Sequence, residues 1–266
     1  MGRFHCVALA AVAGICVVSA AFAEPGVHDW TGFYIGGNVG SLTERASGTS
    51  DFLDPLASVG FTSTPQNNSI SQTHIIGGVQ AGYNWQFNPH WVIGVESDWD
   101  WTHTGHDFCR QTDSLSVACT DNGFGFENIS STTDWIATVR GRLGFTAGKF
   151  MLYGTGGFAL GRIDTTLLQS CLAAGCGSSS LQGATTLTNT ATKAGWVAGL
   201  GVEYALDANW SARAEWQHID LGTVSNSLTV IGAVGFPVSV PAPQTTTWSR
   251  TERYDQLRVG FNYRFR

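Results

Sequence analysis

Residues 91–101, WVIGVESDWDW, place an apolar and an acidic face on one short segment. One face carries large apolar side chains, namely Trp91, Ile93, Val95, Trp99 and Trp101. The opposite face carries the carboxylates of Glu96, Asp98 and Asp100. Because successive side chains of a β-strand point to opposite faces, this pattern predicts a strand whose two faces meet different surroundings.

Seven further segments show the same alternation. They are residues 30–41, 75–87, 134–145, 150–163, 195–204, 210–219 and 257–265. Residues 150–163 are rich in glycine and their two faces are nearly equal in polarity, so the sequence assigns no inward face to that strand. Together the eight segments predict an all-β fold.

The links between these segments alternate between short and long. Residues 88–90, 147–149 and 207–209 are tight links with turn-forming residues. Residues 42–73, 102–133, 164–193 and 220–253 are long links rich in Ser, Thr, Asn and Gly. This plan predicts an eight-stranded antiparallel up-and-down transmembrane β-barrel, with short periplasmic turns and four long extracellular loops.

Composition favours a membrane barrel over a water-soluble barrel or sandwich. Charged residues make up only 13% of the chain, about half the usual share for a soluble domain, alongside 33 Gly and 10 Trp. A soluble barrel buries its apolar face, whereas here that face carries Trp and Tyr near the strand ends, as in the aromatic belts of membrane proteins. We therefore expect the apolar face to contact lipid in the outer membrane of a Gram-negative bacterium.

The opposite, inward face then collects five acids and five arginines. These are Glu96, Asp98, Asp100, Glu203, Glu215, Arg140, Arg142, Arg213, Arg258 and Arg264. Eight strands enclose just enough room for side chains to fill. A balanced set of charges in that space predicts a packed network of ion pairs and no open channel.

The N-terminus and the cysteines indicate export. Residues 1–23 have the features of a cleavable signal peptide, with Arg3, an apolar run over residues 7–18 and small residues before the cleavage site, so the barrel domain spans residues 24–266. The four later cysteines form two close pairs, each within one predicted loop: Cys109 with Cys119 and Cys171 with Cys176. In an exported chain, such pairs predict disulfides.

Three strand motifs resemble those of a known family. Residues 30–40, WTGFYIGGNVG, residues 140–144, RGRLG, and residues 258–265, RVGFNYRF, are similar to strands of small outer-membrane β-barrel proteins of the porin or outer-membrane immunogenic type. The resemblance implies insertion by the barrel-assembly machinery, which recognises a terminal strand ending in an aromatic residue. Here Arg266 follows the aromatic Phe265. The resemblance carries over no catalytic residue, so we expect neither enzymatic activity nor a cofactor.

Three hypotheses for function follow. The first is a structural surface protein with a plugged lumen and disulfide-stapled loops, whose partners are outer-membrane lipid and lipopolysaccharide. The others are a narrow porin for small solutes and a surface receptor for haem or another ligand. His103 and His106 are weak candidates for a metal or haem site, because an H-x-x-H pair lies there beside carboxylates. A net charge of −6 without a basic cluster argues against nucleic acid as a partner.

Overall fold

The computed structural model describes residues 28–51, 66–111, 126–171, 183–230 and 244–265. These residues form a closed antiparallel barrel in which each strand pairs with its neighbours in sequence and the last strand pairs with the first. The strands are β1 (Gly32–Asp51), β2 (Gln66–Asn88), β3 (Trp91–Gln111), β4 (Phe126–Ala147), β5 (Phe150–Cys171), β6 (Gly183–Ala205), β7 (Trp210–Val230) and β8 (Gln244–Arg264). The predicted fold class is thereby confirmed. No helix among the described residues is long and apolar enough to cross a membrane.

Some predictions fall on other parts of the chain. The signal peptide over residues 1–23 lies outside the described residues, as do Cys119, Cys176 and Arg266.

Each strand is longer than its alternating segment in the sequence. The strands have 20 to 23 residues, whereas about 9–11 are enough to cross a bilayer. Many residues that the sequence assigned to long loops therefore belong to strands. The alternation fades there because both faces become polar, and the Ser- and Thr-rich composition then looks like a loop even though Thr favours strands.

Beyond the apolar belt the barrel divides into two four-stranded sheets. Pairing between β2 and β3 ends at Gly77 and Trp101, and pairing between β6 and β7 ends at Trp196 and Asp220, within the described strands. The other pairings continue, so one sheet holds β7, β8, β1 and β2 and the other holds β3 to β6. The hydroxyls of Thr133 on β4 and Tyr254 on β8 lie 3.0 Å apart and join the two sheets.

The outer surface of the barrel wall is a continuous apolar band edged by aromatic pairs. At one edge the rings of Trp99 and Trp135 stack with their centroids 4.3 Å apart. At the other edge, near the short turns, the ring centroids of Trp210 and Tyr263 lie 5.2 Å apart. This arrangement matches the aromatic belts at the two interfaces of a bilayer.

The structure also assigns the faces of β5, which the sequence left open. Met151, Tyr153, Ala159 and Ile163 point into the barrel and are buried. Phe150, Leu152, Phe158 and Leu160 are exposed on the outer surface.

Side-chain caps stabilise two of the short turns. The Asn88 side-chain oxygen accepts hydrogen bonds from the backbone N–H groups of His90 and Trp91, both at 2.9 Å. Asp207 repeats this arrangement with the N–H groups of Asn209 and Trp210, both at 2.8 Å. These backbone donors hold the pKa of Asp207 below its usual range. Such local caps are the reason that Asn and Asp favour turns.

A charge introduced in the apolar band should test where the bilayer lies. Val139 is 61% exposed in the middle of the band, so Val139→Arg should lower the free energy of unfolding in lipid vesicles by about 2–4 kcal/mol. Ser47 is also exposed and points outward, but it lies on the extracellular extension of β1. Ser47→Arg should change stability by less than about 0.5 kcal/mol. Denaturant titration in vesicles measures both, and equal losses would place the bilayer elsewhere.

Candidate functional site

The interior of the barrel is the candidate site, and its side chains lie in three layers. A layer of charged side chains occupies the middle. Nine of the ten charges that the sequence placed inward belong to it: Glu96, Asp98, Asp100, Glu203, Glu215, Arg140, Arg142, Arg213 and Arg258. All nine are buried. We call this set the ionic layer.

Arg140 on β4 lies at the centre of the ionic layer. Its guanidinium group contacts the carboxylates of Glu96, Asp98 and Glu215, with 2.5 Å between Arg140 Nη2 and Asp98 Oδ2. Glu96 and Asp98 lie on the adjacent strand β3, whereas Glu215 lies on β7. Arg140 therefore connects β4 both to its neighbour and to the opposite wall.

Two further arginines extend these contacts across the lumen. Arg213 on β7 contacts Glu215 on its own strand and Glu96 on β3, and its Nη2 lies 3.1 Å from Glu96 Oε1. Arg258 on β8 donates a hydrogen bond of 2.9 Å to Asp100 Oδ2 on β3. Since β3 is not hydrogen-bonded to β7 or β8, these pairs join walls that the backbone does not connect.

Arg142 occupies the periplasmic side of the ionic layer. It pairs with Glu203 on β6, and its guanidinium carbon lies 3.7 Å from the centre of the Tyr153 ring. Glu203 also accepts hydrogen bonds from Ser211 Oγ at 2.5 Å and from Asn262 Nδ2 at 2.9 Å. A buried carboxylate needs several donors of this kind to offset its lost hydration.

Two tyrosines donate hydrogen bonds to carboxylates of the ionic layer. Tyr34 donates a hydrogen bond of 2.6 Å to Glu96 Oε2, and Tyr153 donates one of 2.9 Å to Glu215 Oε2. Sequence analysis did not identify either residue as part of the site. For Tyr34 the available signal was its position on the face opposite Phe33, but tyrosine is also enriched in aromatic belts. For Tyr153 the sequence offered no signal, because it assigned no inward face to β5.

Arg264, the tenth predicted charge, lies below the ionic layer. Its Nη2 donates a hydrogen bond of 2.9 Å to the carbonyl oxygen of Ala208 in a periplasmic turn. Its guanidinium carbon lies 5.4 Å from the centre of the Trp30 ring. Arg264 is therefore buried as expected, but it stabilises the end of the barrel.

Apolar layers cover the ionic layer on both sides. The layer towards the extracellular side consists of Leu42, Ile76, Ile136, Ala159, Ile163, Val197, Ile219, Leu221, Val224 and Tyr254. The layer towards the periplasmic side consists of Trp30, Val92, Met151, Tyr153 and Ala205. The ionic layer thus has little contact with solvent: the side chains of Arg140, Glu96 and Glu215 have no exposed surface.

Glycines in the wall make room for the large lumen side chains. A Cβ atom on Gly82 would lie 2.4 Å from Tyr34 Oη, and one on Gly201 would lie 2.3 Å from Tyr153 Cζ. Such distances are far below van der Waals contact, so only glycine lets these rings lie against the backbone. The glycine-rich composition is thereby connected to the filling of the lumen.

A second charged group lies beyond the extracellular apolar layer, and sequence analysis missed it. Arg250 on β8 contacts Glu44 on β1, with 2.8 Å between Arg250 Nη2 and Glu44 Oε1, and Glu252 at 2.7 Å from its Nε. Burial raises the pKa of Glu252 to about 7, an effect that Arg250 opposes and Glu44 strengthens. These residues fall in segments without clear alternation, which is why their inward orientation was not predicted.

Of the two candidate ligand-binding histidines, His103 is not part of a metal site formed by the described residues. His103 lies in β3, not in a loop, and its side chain is 85% exposed at 3.9 Å from Asp134. His106 and Cys109 also lie in β3, and Cys171 ends β5, so the expectation that these cysteines lie in loops was wrong. Among the described residues, no three His, Cys, Asp or Glu side chains converge as metal ligands would.

Alanine substitutions at two glycines test how closely the side chains fill the lumen. Gly201→Ala should lower the free energy of unfolding by about 1–3 kcal/mol, because the new methyl group overlaps the Tyr153 ring. Gly141→Ala is the matched control, since a Cβ atom there meets nothing nearer than the Gly156 carbonyl oxygen at 3.8 Å on the outer surface. We expect the control to unfold at the wild-type denaturant concentration or slightly above it. Equal stability of the two variants would contradict a closely filled lumen.

Comparisons with known proteins agree with this architecture. Residues 7–265 match the family model described as outer membrane protein beta-barrel domain. The chain is 33% identical over 264 residues to the 31 kDa outer-membrane immunogenic protein of Brucella melitensis, covering 97% of this chain and 93% of the relative. It is 28% identical over 192 residues to the 22 kDa outer membrane protein of Rhizobium leguminosarum, covering 72% of this chain and 64% of that one.

Among solved structures, the chain is matched to the outer membrane protein OprG from Pseudomonas aeruginosa, with 13% identity, a TM-score of 0.44 and coverage of 88% of this chain and 97% of that one. The family match spans the whole described barrel, and the Brucella relative is aligned over almost its full length. The chain therefore belongs to the outer membrane protein β-barrel domain family and resides in the outer membrane of a Gram-negative bacterium.

Proposed function

We propose that the protein is a non-enzymatic structural and surface protein whose lumen is plugged by its own side chains. The observation that carries this proposal is the ionic layer enclosed between two apolar layers. A solute would have to separate Arg140 from three carboxylates in order to pass. Separating buried ion pairs is costly, since removal of one partner typically destabilises a protein by about 3–5 kcal/mol.

The arrangement of polar groups supports a non-catalytic role. His218 Nδ1 lies 2.8 Å from Asp255 Oδ1, as in the acid–histidine pairs of hydrolases. No serine hydroxyl is hydrogen-bonded to His218 in the described part of the chain, and the histidine ring lies 5.4 Å from the Trp196 ring. The carboxylates of the ionic layer are already occupied by arginines, so they are poorly suited to act as general bases.

The proposal includes two partners during and after biogenesis. The finished barrel lies among the lipids and lipopolysaccharide of the outer membrane. For insertion, we propose recognition by the barrel-assembly machinery through β8. The alternation of Leu257, Val259 and Phe261 with inward polar residues, and the aromatic Phe265 that follows the strand, support this assignment.

Conductance in planar bilayers tests the plug. The refolded protein should show little or no steady current, because the lumen is filled at the ionic layer. Arg140→Ala combined with Arg142→Ala should produce leak currents or lower the free energy of unfolding by about 3–5 kcal/mol or more. Arg162→Ala is the control, since Arg162 is an exposed arginine on the outer surface and its loss should change neither property. Large and stable wild-type channels would favour the porin hypothesis.

We also propose the two local disulfides, Cys109–Cys119 and Cys171–Cys176. Each closes a short segment, which brings its thiols together far more often than thiols on separate loops. Cys109 and Cys171 lie near the extracellular ends of β3 and β5, so each bridge would tie a strand end to the connection that follows it.

Peptide mapping without reduction tests this pairing. Native envelopes should yield Cys109 linked to Cys119 and Cys171 linked to Cys176, and reduction should raise protease cleavage near these strand ends while the apolar part of the barrel stays folded. A peptide that joins Cys109 to Cys171 or Cys176, or four freely alkylated thiols, would rule the pairing out.

A further inference from the structure

Two arginines lie side by side on the outer surface of the barrel. Arg45 on β1 and Arg253 on β8 are direct partners in the register of these adjacent strands. Their side chains point outward and are 66% and 52% exposed. Like charges directly opposite each other on neighbouring strands repel, so this pair favours contact with negative charge.

The position of the pair along the strands places it at the lipid headgroups. Arg45 is twelve residues beyond Phe33, and Arg253 is twelve residues before Phe265. At about 3.4 Å per residue and a tilt of about 40°, twelve residues rise about 31 Å along the barrel axis. The apolar band of such barrels is about 25 Å tall. With Phe33 and Phe265 at the periplasmic edge of the apolar band, Arg45 and Arg253 lie just beyond its extracellular edge.

Neighbouring carboxylates orient the two guanidinium groups and leave donors available. Arg45 Nε lies 3.4 Å from Asp255 Oδ2, and Arg253 Nε donates a hydrogen bond of 3.0 Å to Asp220 Oδ2. Asp255 is shared with His218, which lies 2.8 Å away. Among the described residues, no terminal nitrogen of either arginine donates a hydrogen bond. Terminal guanidinium nitrogens are suited to bind phosphate oxygens in pairs.

Two exposed apolar side chains lie next to the arginine pair, on its periplasmic side. Leu257 on β8, exposed on the outer surface, is paired in register with Trp216 on β7, which is also exposed. An acyl chain can lie against these two side chains while the headgroup of the same lipid reaches the arginines. An amphiphile with an anionic headgroup matches both the terminal guanidinium nitrogens and the apolar side chains of this surface.

We propose that Arg45 and Arg253 bind a phosphate group on the headgroup of lipopolysaccharide in the outer leaflet. The terminal nitrogens of both guanidinium groups donate hydrogen bonds to the phosphate, and the acyl chains cover Leu257 and Trp216. This site goes beyond the plugged-barrel function and does not depend on whether the lumen conducts.

Arg162 on β5 provides a matched control. It is an outward arginine that is 46% exposed, and its Nε lies 3.4 Å from Asp164 and 4.0 Å from Asp134. Its cross-strand partners are Trp135 and Thr192, so no second arginine lies opposite it. Arg162 is therefore charged and exposed like Arg45 and Arg253, but it has no arginine partner on a neighbouring strand.

Binding of fluorescent lipopolysaccharide tests the proposal with the whole protein refolded in zwitterionic detergent micelles. Fluorescence anisotropy should show wild-type binding that is at least tenfold weaker for lipopolysaccharide stripped of its lipid A phosphates. Arg45→Gln with Arg253→Gln should weaken binding of the intact probe at least tenfold, with little further loss on the stripped probe. Arg162→Gln should stay within twofold of wild type, and Arg45→Lys with Arg253→Lys should fall between wild type and the Gln pair.

Several results would overturn the site. One is equal wild-type affinity for the two probes, which requires no variant and so does not depend on variant folding. Another is an equal loss in Arg162→Gln, which would indicate general surface charge. Displacement of the probe by millimolar inorganic phosphate would assign the pair to free phosphate and not to a lipid headgroup. A heat-dependent gel shift checks that each variant is folded.

Discussion

The coordination of Arg140 by three carboxylates is the contact on which the arrangement of the barrel most depends. Lipid surrounds the apolar band, so a charge on the strands within that band cannot find water on the outside. The arginines and carboxylates that lie at this level are therefore compensated within the lumen. Arg140 does this for Glu96, Asp98 and Glu215 at once, and it thereby connects three strands. The other ion pairs extend from this centre.

The ionic layer specifies the register of the strands more clearly than it stabilises the fold. Buried ion pairs repay their lost hydration only when geometry and extra hydrogen bonds are good, and apolar replacements are often at least as stable. A shift of one strand by one residue, however, would turn its charges towards lipid and its apolar residues inward. Such a shift of β4 would turn Arg140 towards lipid and leave its direct cross-strand partner Glu96 without it. The network therefore makes a shifted register very unfavourable.

The apolar layers and the wall glycines both support the ionic layer. Apolar layers on both sides keep the ionic layer out of contact with solvent, which strengthens each charge–charge contact. Gly82 and Gly201 let Tyr34 and Tyr153 lie against the backbone, where their hydroxyls reach Glu96 and Glu215. Beyond the membrane the strands no longer have to form one closed barrel. There the barrel divides into two sheets, where the pairing of β2 with β3 and of β6 with β7 stops.

The sequence by itself determined the strand number, the sidedness of seven strands and the inward position of ten charges, because lipid on one side forces a strict alternation. Glu96 and Arg140 could even be paired from it, since their strands are adjacent. Tertiary structure alone decided the contacts of Arg140 with Glu215 and of Arg213 with Glu96, because these cross a lumen whose geometry depends on closure of the barrel. It also decided the inward face of β5 and the position of His103 in β3, since glycine and polar residues carry no alternation to predict from. The pairing of Arg45 with Arg253 likewise appeared only when β8 closed against β1, more than two hundred residues away along the chain.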